Sequence, residues 1–261
     1  MLTRFLQKDV SSGEVPEFFV ITACYNAETY LEQCLDSVRS QTYPHVQHTV
    51  IDGGSSDGSV DILTARSGLY YWHSEKDEGI ADAFNIGLSH SQGNVVIFLG
   101  ADDYLKDPYV LAECADFLRQ FPRPWFIYGD IVYEYEDSAR VVEENYSWQR
   151  FKRYMCIPHQ AMFLDRVFFK YYGGFDTSYK IAMDYEHIAR FIKDYQPAYW
   201  NRTVSVMRRM GVSINPIAAH NEMDKVKKKY NLSSPLARYL FLYGIYSYFL
   251  FKRYILRRGW C

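Results

Sequence analysis

The chain has 261 residues, of which 48% are hydrophobic and 23% charged, as in an ordinary folded protein with one large core. Its net charge of −2 is unevenly distributed, because residues 225–261 contain nine bases and no acid, whereas residues 1–224 contain 20 bases and 31 acids. An acidic body argues against general nucleic-acid binding, and a basic tail suits an anionic surface.

The five cysteines, at positions 24, 34, 114, 156 and 261, have no spacing typical of a metal site or a disulfide framework. The N-terminal residues MLTRFLQK do not resemble a secretory leader. We therefore expect a reduced, cytoplasmic location.

Strand-like and helix-like patterns alternate along the first hundred residues. The apolar runs predict strands at residues 18–23, 46–52, 69–73 and 95–99, and the helical spacing of apolar residues predicts helices at 30–38, 59–66 and 80–88. This order predicts an α/β fold with a doubly wound, mostly parallel sheet.

The second half of the chain is less regular. The pattern predicts a helix at 109–121, short strands at 125–128, 131–137, 162–164 and 204–210, and a helix at 181–192. No linker rich in Pro, Gly or Ser separates the halves, so we expect both to belong to one domain.

Two adjacent carboxylates, Asp102 and Asp103, come two residues after the most apolar predicted strand, residues 95–99. Ligands of open α/β sheets bind beyond the carboxyl ends of such strands, where two like charges require a cation or a hydrogen-bond donor. An acidic turn after a core strand is an equally good interpretation of these two residues alone.

Other polar or aromatic residues follow the neighbouring strands at the same predicted edge. Tyr25 can stack on a base, and Asp52 can accept hydrogen bonds from a nucleobase or ribose, although a packing tyrosine and a turn-capping aspartate are the alternatives. With the loop at 74–79 and the acid pair, they indicate a nucleotide site with a metal, in which Asp103 is the ligand and Asp102 contacts the ribose. Neither G-x-G-x-x-G after the first strand nor a P-loop is present.

Several segments resemble the inverting family-two glycosyltransferases of the GT-A fold, over roughly residues 18–210. The matching pieces are VITACYN at 20–26, VIDGGSSDG at 50–58, SEKDEGIADAFN at 74–85, FLGADD at 98–103, GGFD at 173–176 and AMDYE at 182–186. The resemblance implies a nucleotide-sugar donor and a divalent cation, Mn²⁺ or Mg²⁺, held by Asp103. It also implies domain limits: a GT-A domain at 1–224, with a nucleotide-binding half at 17–103 and an acceptor half at 104–224, and a tail at 225–261.

Site residues follow from the same resemblance. By position Asp184 takes the role of catalytic base, with Glu186 as the fallback. The residues expected to contact the nucleotide are Thr22, Tyr25, Asp52, Lys76, Asn85 and Asp102. The chain departs from the family pattern twice, since Asp52 is followed by Gly53 where the family often has a second Asp, and Met183 precedes Asp184 where it often has Glu.

Three further features remain open at this stage. His159 and Gln160 contact the donor sugar or its phosphates in one interpretation, and in the other His159 has only a structural role in the fold. Residues 208–215 form either a basic loop that closes on the diphosphate or a solvated turn. His187 either orients Asp184 or is a polar core residue, and we favour the core.

The C-terminal tail contains thirteen uncharged, mostly apolar residues at 239–251, flanked by bases. A helix of this length measures about 20 Å and does not span a membrane. We expect residues 233–258 to contact the membrane surface peripherally; the alternative is a helix packed on the domain or in an oligomer interface.

The sequence thus predicts a metal-dependent inverting glycosyltransferase of polysaccharide biosynthesis. Its expected donor is a UDP-sugar, its acceptor a saccharide or lipid-linked saccharide, and its location the inner face of the cell membrane. The rival hypotheses are a sugar nucleotidyltransferase, which would need a basic Gly-rich loop after the first strand, and a nucleotide-sugar-binding protein without turnover.

Overall fold

The computed structural model describes residues 15–135, 138–142, 146–208, 216–240 and 242–244. The strands of this part of the chain are β1 (Phe18–Cys24), β2 (Val46–Asp52), β3 (Tyr71–Ser74), β4 (Val95–Gly100), β5 (Tyr104–Leu105), β6 (Phe126–Tyr135), β7 (Ser138–Val142), β8 (Met162–Asp165) and β9 (Ala198–Arg208). The helices are α1 (Leu31–Arg39), α2 (Ser59–Ala65), α3 (Ile80–His90), α4 (Val110–Leu118), α5 (Trp148–Phe151), α6 (Val167–Tyr172), α7 (Met183–Ala189) and α8 (Pro216–Lys229).

The first half forms four parallel strands in the order β3-β2-β1-β4. Cys24 lies opposite Asp52, Asp52 lies opposite Ser74, and Ala23 lies opposite Gly100, so all four strands end at one edge. The three intervening helices connect consecutive strands, as the alternating pattern predicts. This register brings the loops after the strands together.

Both faces of β1 and β4 are buried, which explains the continuous apolar runs of their sequences. Phe18 and Val20 enter a core cluster with α4, whereas Phe19 and Ile21 point to the opposite face and pack in a cluster with α3, α6 and α7. Residues 95–99 have no exposed surface. The doubly wound arrangement therefore fixes β4, and with it the turn that begins at Gly100.

The second half continues the sheet through β8, which pairs antiparallel with β4, followed by β6, β9 and β5. The α/β fold class is confirmed, with the parallel order concentrated in the first four strands. The prediction of separate, partly exposed strands at 125–128 and 131–137 is wrong, because β6 is one ten-residue strand that is buried over most of its length. A register shift around Asp130 lets it continue along β9.

Helix α8 crosses residue 224, the predicted limit of the domain. Beyond this limit, Val226 and Leu232 are fully or almost fully buried in the same core cluster as α7. Residues 235–240 and 242–244 are helical, while residues 245–251 of the predicted apolar segment lie outside the described residues. In the described part of the chain, no helix has the length and hydropathy needed to span a bilayer.

Candidate active site

A cleft of about 290 Å³ lies beyond the carboxyl end of β4. It is lined by Asp102 and Asp103 on one side and by Asp184, from the start of α7, on another. The structure therefore brings together the acid pair and the acid predicted as a base. A larger groove of about 750 Å³ surrounds Gly93 and Asn94 at the opposite end of β4, but none of the predicted catalytic or metal-binding acids lines it.

The turn after β4 places the two carboxylates close to the backbone. A Cβ atom on Gly100 would lie 2.6 Å from Oδ1 of Asp102 and 3.1 Å from Oδ2 of Asp103, so a larger residue at this position would displace the carboxylates. Asp103 is only 2% exposed, and its Oδ1 accepts a hydrogen bond of 3.2 Å from the backbone N–H of Arg208. The amide of Gln160 also donates to Asp103.

Burial is the main cause that raises the pKa of both carboxyls in the pair. For Asp103 the negative charge of Asp102 raises the pKa further, and the N–H of Arg208 lowers it by a smaller amount. A buried pair of like charges favours any ligand that brings positive charge. The pair therefore fits a hard divalent cation.

The residues near the pair supply only part of a cation's coordination. Among the described residues, no group of three or more His, Cys, Asp or Glu side chains is arranged to hold a metal. A cation at Asp103 would therefore complete its coordination with oxygens of a ligand and of water, which is how Mg²⁺ is commonly bound beside phosphates. The donor set of carboxylate oxygens suits Mg²⁺ or Mn²⁺.

Arg208 is fixed at the end of β9 beside the acid pair. Its Nη1 donates to the carbonyl oxygen of Asp102 at 2.8 Å, and its Nε forms a 3.0 Å ion pair with Glu134. The guanidinium carbon lies 4.5 Å from the ring centroid of Tyr30 and 5.1 Å from that of Tyr104. Arg208 therefore supports the turn that carries Asp102 and Asp103, and it does so from the end of a strand. The other residues of the predicted basic loop, 209–215, lie outside the described residues.

Asp184 lies in the first turn of α7, as expected. Its Oδ1 accepts a 2.6 Å hydrogen bond from the N–H of Tyr185, and part of its side chain is accessible from the cleft. Burial raises the pKa of this carboxyl to about 6, an effect that its hydrogen bonds partly oppose and the charge of Glu222 reinforces. A carboxylate with this pKa is ionised at neutral pH and basic enough to accept a proton.

Glu222, from α8, holds the turn that carries Asp184. Its carboxylate accepts hydrogen bonds from three consecutive backbone N–H groups: Lys180 at 3.1 Å, Ile181 at 2.8 Å and Ala182 at 2.9 Å. These groups precede α7 and have no acceptor within that helix. The sequence does not indicate this role, because no local pattern connects Glu222 to a turn some forty positions earlier.

The fallback candidate, Glu186, faces away from the cleft and is fully buried. It accepts hydrogen bonds from Arg190, from Nζ of Lys229 at 2.8 Å and from the hydroxyl of Tyr230 at 2.5 Å, and these partners lower the pKa of its carboxyl despite burial. It anchors α8 to α7. His187 is likewise buried, with its ring stacked on that of Phe169.

Two of the residues expected to contact a nucleotide are fully buried and engaged inside the protein. Thr22 bonds to Nε2 of His48 at 2.9 Å. Asp52 accepts hydrogen bonds from the hydroxyl of Ser55, from the backbone N–H groups of Gly54 and Ser55 at 3.1 and 2.9 Å, and from the hydroxyl of Ser74 at 2.7 Å. In this geometry both side chains shape the edge of the sheet, and Asp52 caps the loop as its alternative interpretation stated.

Of the other residues expected to contact the nucleotide, Tyr25 and Lys76 lie where the parallel strands end, whereas Asn85 of α3 lines the larger groove. Tyr25 is 66% exposed directly after β1, and Lys76 is exposed in the loop after β3. The side-chain amide of Asn85 forms two hydrogen bonds with the backbone of Phe175, at 2.8 and 2.9 Å, and lines the larger groove instead of the cleft. Tyr25 and Lys76 are thus the members of this set that present accessible side chains at the edge.

Two further polar residues, His159 and Lys180, line the cleft. His159 stacks on Phe98, and in the described part of the chain its Nε2 has no hydrogen-bond partner; burial lowers the pKa of this ring to about 4, so it is neutral. Lys180, which the sequence analysis did not single out, donates from Nζ to the carbonyl oxygen of Glu78 at 2.7 Å. It connects the loop before α7 to the loop before α3.

Comparisons with known proteins identify relatives of the chain. Residues 19–174 match the model of a protein family described as glycosyl transferase family 2. The chain is 29% identical over 219 residues to a PGL/p-HBAD biosynthesis glycosyltransferase of Mycobacterium tuberculosis, covering 79% of this chain and 77% of the relative. It is 34% identical over 179 residues to an uncharacterized glycosyltransferase of the same species, covering 67% of this chain and 68% of the relative.

Solved structures show the same fold at low sequence identity. Staphylococcus aureus TarS residues 1–349 in complex with UDP-GlcNAc superposes with a TM-score of 0.67 at 16% identity, covering 87% of this chain and 70% of that one. The mannosyltransferase PcManGT of Pyrobaculum calidifontis, in complex with GDP-Man and Mn²⁺, gives a TM-score of 0.62 at 20% identity, covering 89% and 70%.

The Glu222→Gln variant tests the electrostatic coupling between Glu222 and Asp184. The amide oxygen can still accept backbone hydrogen bonds, but the neighbouring negative charge is lost, so we expect the pKa of Asp184 to fall below its value of about 6. Carbon-13 NMR titration of the Asp184 carboxyl measures this change, with exposed Glu32→Gln as the matched control. An unchanged or raised pKa of Asp184 in Glu222→Gln would contradict the proposed effect of the Glu222 charge on Asp184.

Proposed function

The chain belongs to glycosyl transferase family 2, and on that premise we propose that it transfers a sugar from a nucleotide-diphosphate sugar to a hydroxyl of a saccharide or lipid-linked saccharide, inverting the anomeric carbon. The observation that carries this proposal is the common cleft of Asp103 and Asp184. Asp103 suits a cation that binds the diphosphate, and Asp184 suits the removal of a proton from the acceptor hydroxyl.

In the proposed reaction, the carboxylate of Asp184 takes the proton of the acceptor hydroxyl. The acceptor oxygen forms a bond to the anomeric carbon while the bond from that carbon to the diphosphate oxygen breaks, and the nucleoside diphosphate leaves with the electron pair. A single displacement inverts the centre. General-base catalysis of this kind contributes typically about 10²–10⁴-fold in rate.

The acid pair would act on the leaving-group side. Asp103, with Asp102 beside it, would hold a divalent cation, which supplies Lewis-acid stabilisation of charge on the departing diphosphate. Lys180 also lines the cleft and brings a further positive charge. Tyr25 and Lys76 at the open edge are the proposed contacts for the nucleotide, with Asp52 and Thr22 shaping the edge beneath them.

We propose a UDP-sugar as the donor and polysaccharide biosynthesis as the setting. The structural likeness to TarS in complex with UDP-GlcNAc supports this choice, whereas the PcManGT complex contains GDP-Man and Mn²⁺. A relative is named a PGL/p-HBAD biosynthesis glycosyltransferase, which supports a role of glycosyl transfer in biosynthesis.

Substituting either acid tests the proposal. Asp184→Asn removes the base and Asp103→Ala removes the proposed cation ligand, so we expect each to lower the release of UDP from UDP-sugars with acceptor and Mn²⁺ by at least about 100-fold. Thermal unfolding should show that both variants remain folded, and Asp61→Asn, which changes an exposed acid of α2, serves as the control.

The pH dependence gives an additional check of the base. Asp184 must be ionised to act, so kcat/KM should be level at pH values above its pKa and fall as the pH drops through about 6. Full activity in Asp184→Asn, or an unchanged acid limb when residual activity is measured in that variant, would remove Asp184 from the role of base.

We also propose that the C-terminal segment brings the protein to the inner face of the cell membrane. Four apolar or aromatic side chains of the helical residues 236–240 and 242–243 are 58–67% exposed at helical spacing: Leu236, Tyr239, Leu240 and Tyr243. The sequence beyond Asp224 contains nine bases and no acid, which favours anionic lipid.

Vesicle sedimentation tests this placement. We expect the protein to bind vesicles containing phosphatidylglycerol more strongly than neutral phosphatidylcholine vesicles, and to lose most of this binding when Leu236 and Leu240 are both changed to Gln. Ala237→Gln, an exposed position outside the apolar stripe, is the matched control. Equal binding of the double variant and the control would contradict the membrane proposal.

A further inference from the structure

The cleft has a largely apolar lining apart from its charged groups. Three of the seven methionines of the chain line it, together with four isoleucines. These seven residues, which we call the Met-Ile wall, are Met155, Met183, Met207, Ile80, Ile131, Ile157 and Ile181. Met155, Met207, Ile80 and Ile181 retain accessible surface, whereas the other three are buried.

The Met-Ile wall comes from separate parts of the fold that meet around Asp184. Met183 directly precedes Asp184, and Ile181 belongs to the turn that Glu222 holds. Met207 lies on β9 opposite Tyr133 of β6, so these two side chains are neighbours across paired strands. Met155 is partly exposed in the segment between α5 and His159. These residues therefore line the same cleft as the proposed base.

Few neutral polar side chains are available in the cleft to bind sugar hydroxyls. Among the described residues that line it, these are Tyr133, His159 and Gln160, and Gln160 donates to Asp103. The remaining polar groups are the acids of the proposed mechanism and two cations, Lys180 and Arg208. A polar hydroxyl placed against the Met-Ile wall would lose its hydrogen bonds to water without replacement, which is unfavourable.

We propose that the cleft is an acceptor site for an alkyl or aryl glycoside, whose aglycone packs against the Met-Ile wall while a hydroxyl faces Asp184. This inference rests on the proposed glycosyl transfer and specifies its acceptor class. Methionine suits this role because its flexible, polarizable side chain adapts to apolar groups of varied shape. The acidic turn and Lys180 occupy the other side of the cleft and suit the charged donor.

The loops that carry Tyr25 and Asp52 contribute nothing to the lining of this cleft. The nucleotide of the proposed donor therefore lies along the open edge of the sheet, outside the Met-Ile wall. The Met-Ile wall therefore remains available to the acceptor, because the donor binds on the side of the cleft that carries the acid pair.

Paired acceptors test the proposal directly. With UDP-sugars and Mn²⁺, UDP release is measured with free glucose, octyl glucoside and 4-nitrophenyl glucoside, and the same series is repeated with mannose. For the sugar that serves as acceptor, we expect kcat/KM for the octyl or nitrophenyl glycoside to exceed that for the free sugar by at least tenfold.

Variants of the wall link this preference to the structure. Met207→Gln and Met155→Gln should reduce the ratio of kcat/KM between glycoside and free sugar toward one, whereas Met207→Leu, which stays apolar, should preserve it. Met223→Gln is the matched control, because Met223 is a partly exposed methionine that does not line the cleft. Thermal unfolding of each variant separates a loss of selectivity from a loss of fold.

The outcomes for the acceptor class and for the proposed function are distinguishable. Turnover with free sugars and glycosides at equal kcat/KM, unchanged in the Gln variants, would overturn the inference and leave the glycosyl transfer intact. Release of UDP from no UDP-sugar with any of these acceptors would contradict the proposed function and, with it, this inference.

Discussion

The burial of two adjacent carboxylates at the end of a core strand is the constraint on which the site depends. Asp103 is almost fully enclosed, and Asp102 lies beside it with its own charge. Arg208 offers one positive charge, but its guanidinium is already paired with Glu134. Burial raises the pKa of both carboxyls and the charge of Asp102 raises that of Asp103 further, so a cation is the simplest group that would stabilise the ionised pair.

The second half of the chain positions the reactive groups from two directions. Arg208, at the end of β9, bonds to the backbone and side chain of the acid pair. Glu222, on α8, binds the turn that precedes Asp184. The parallel half of the sheet thus supplies the edge, while the more irregular half supplies the groups that fix the two faces of the cleft relative to each other.

The strands of the first half were predictable because burial on both faces produces uninterrupted apolar runs, of which residues 95–99 are the clearest. The position of Asp103 after β4 and of Asp184 in the first turn of a helix followed from the same local patterns and from the family motifs. Strand β6 was divided in the prediction, because Gly129 and Asp130 interrupt its apolar sequence, yet a register shift against β9 accommodates both.

Contacts between side chains far apart in the sequence were not predictable. The hydrogen bond from Ser74 to Asp52, the pairing of Asn85 with Phe175, and the Glu222 interaction all depend on how loops meet in the folded protein. Sequence motifs mark such residues without stating whether they contact a ligand or the backbone. The apolar lining of the cleft was not predictable for the same reason, because Met155, Met183 and Met207 come together only in the folded protein.

Calorimetric titration of Mn²⁺ into the protein, with and without UDP, tests most directly whether the acid pair creates a cation site. We expect one Mn²⁺ bound per chain in the presence of UDP, and loss of that binding in Asp103→Asn, which removes the charge but keeps the shape of the side chain. Asp61→Asn should bind as the unmodified protein does. Binding of Mn²⁺ and UDP by Asp103→Asn with unchanged stoichiometry and affinity would show that the acid pair does not form the cation site.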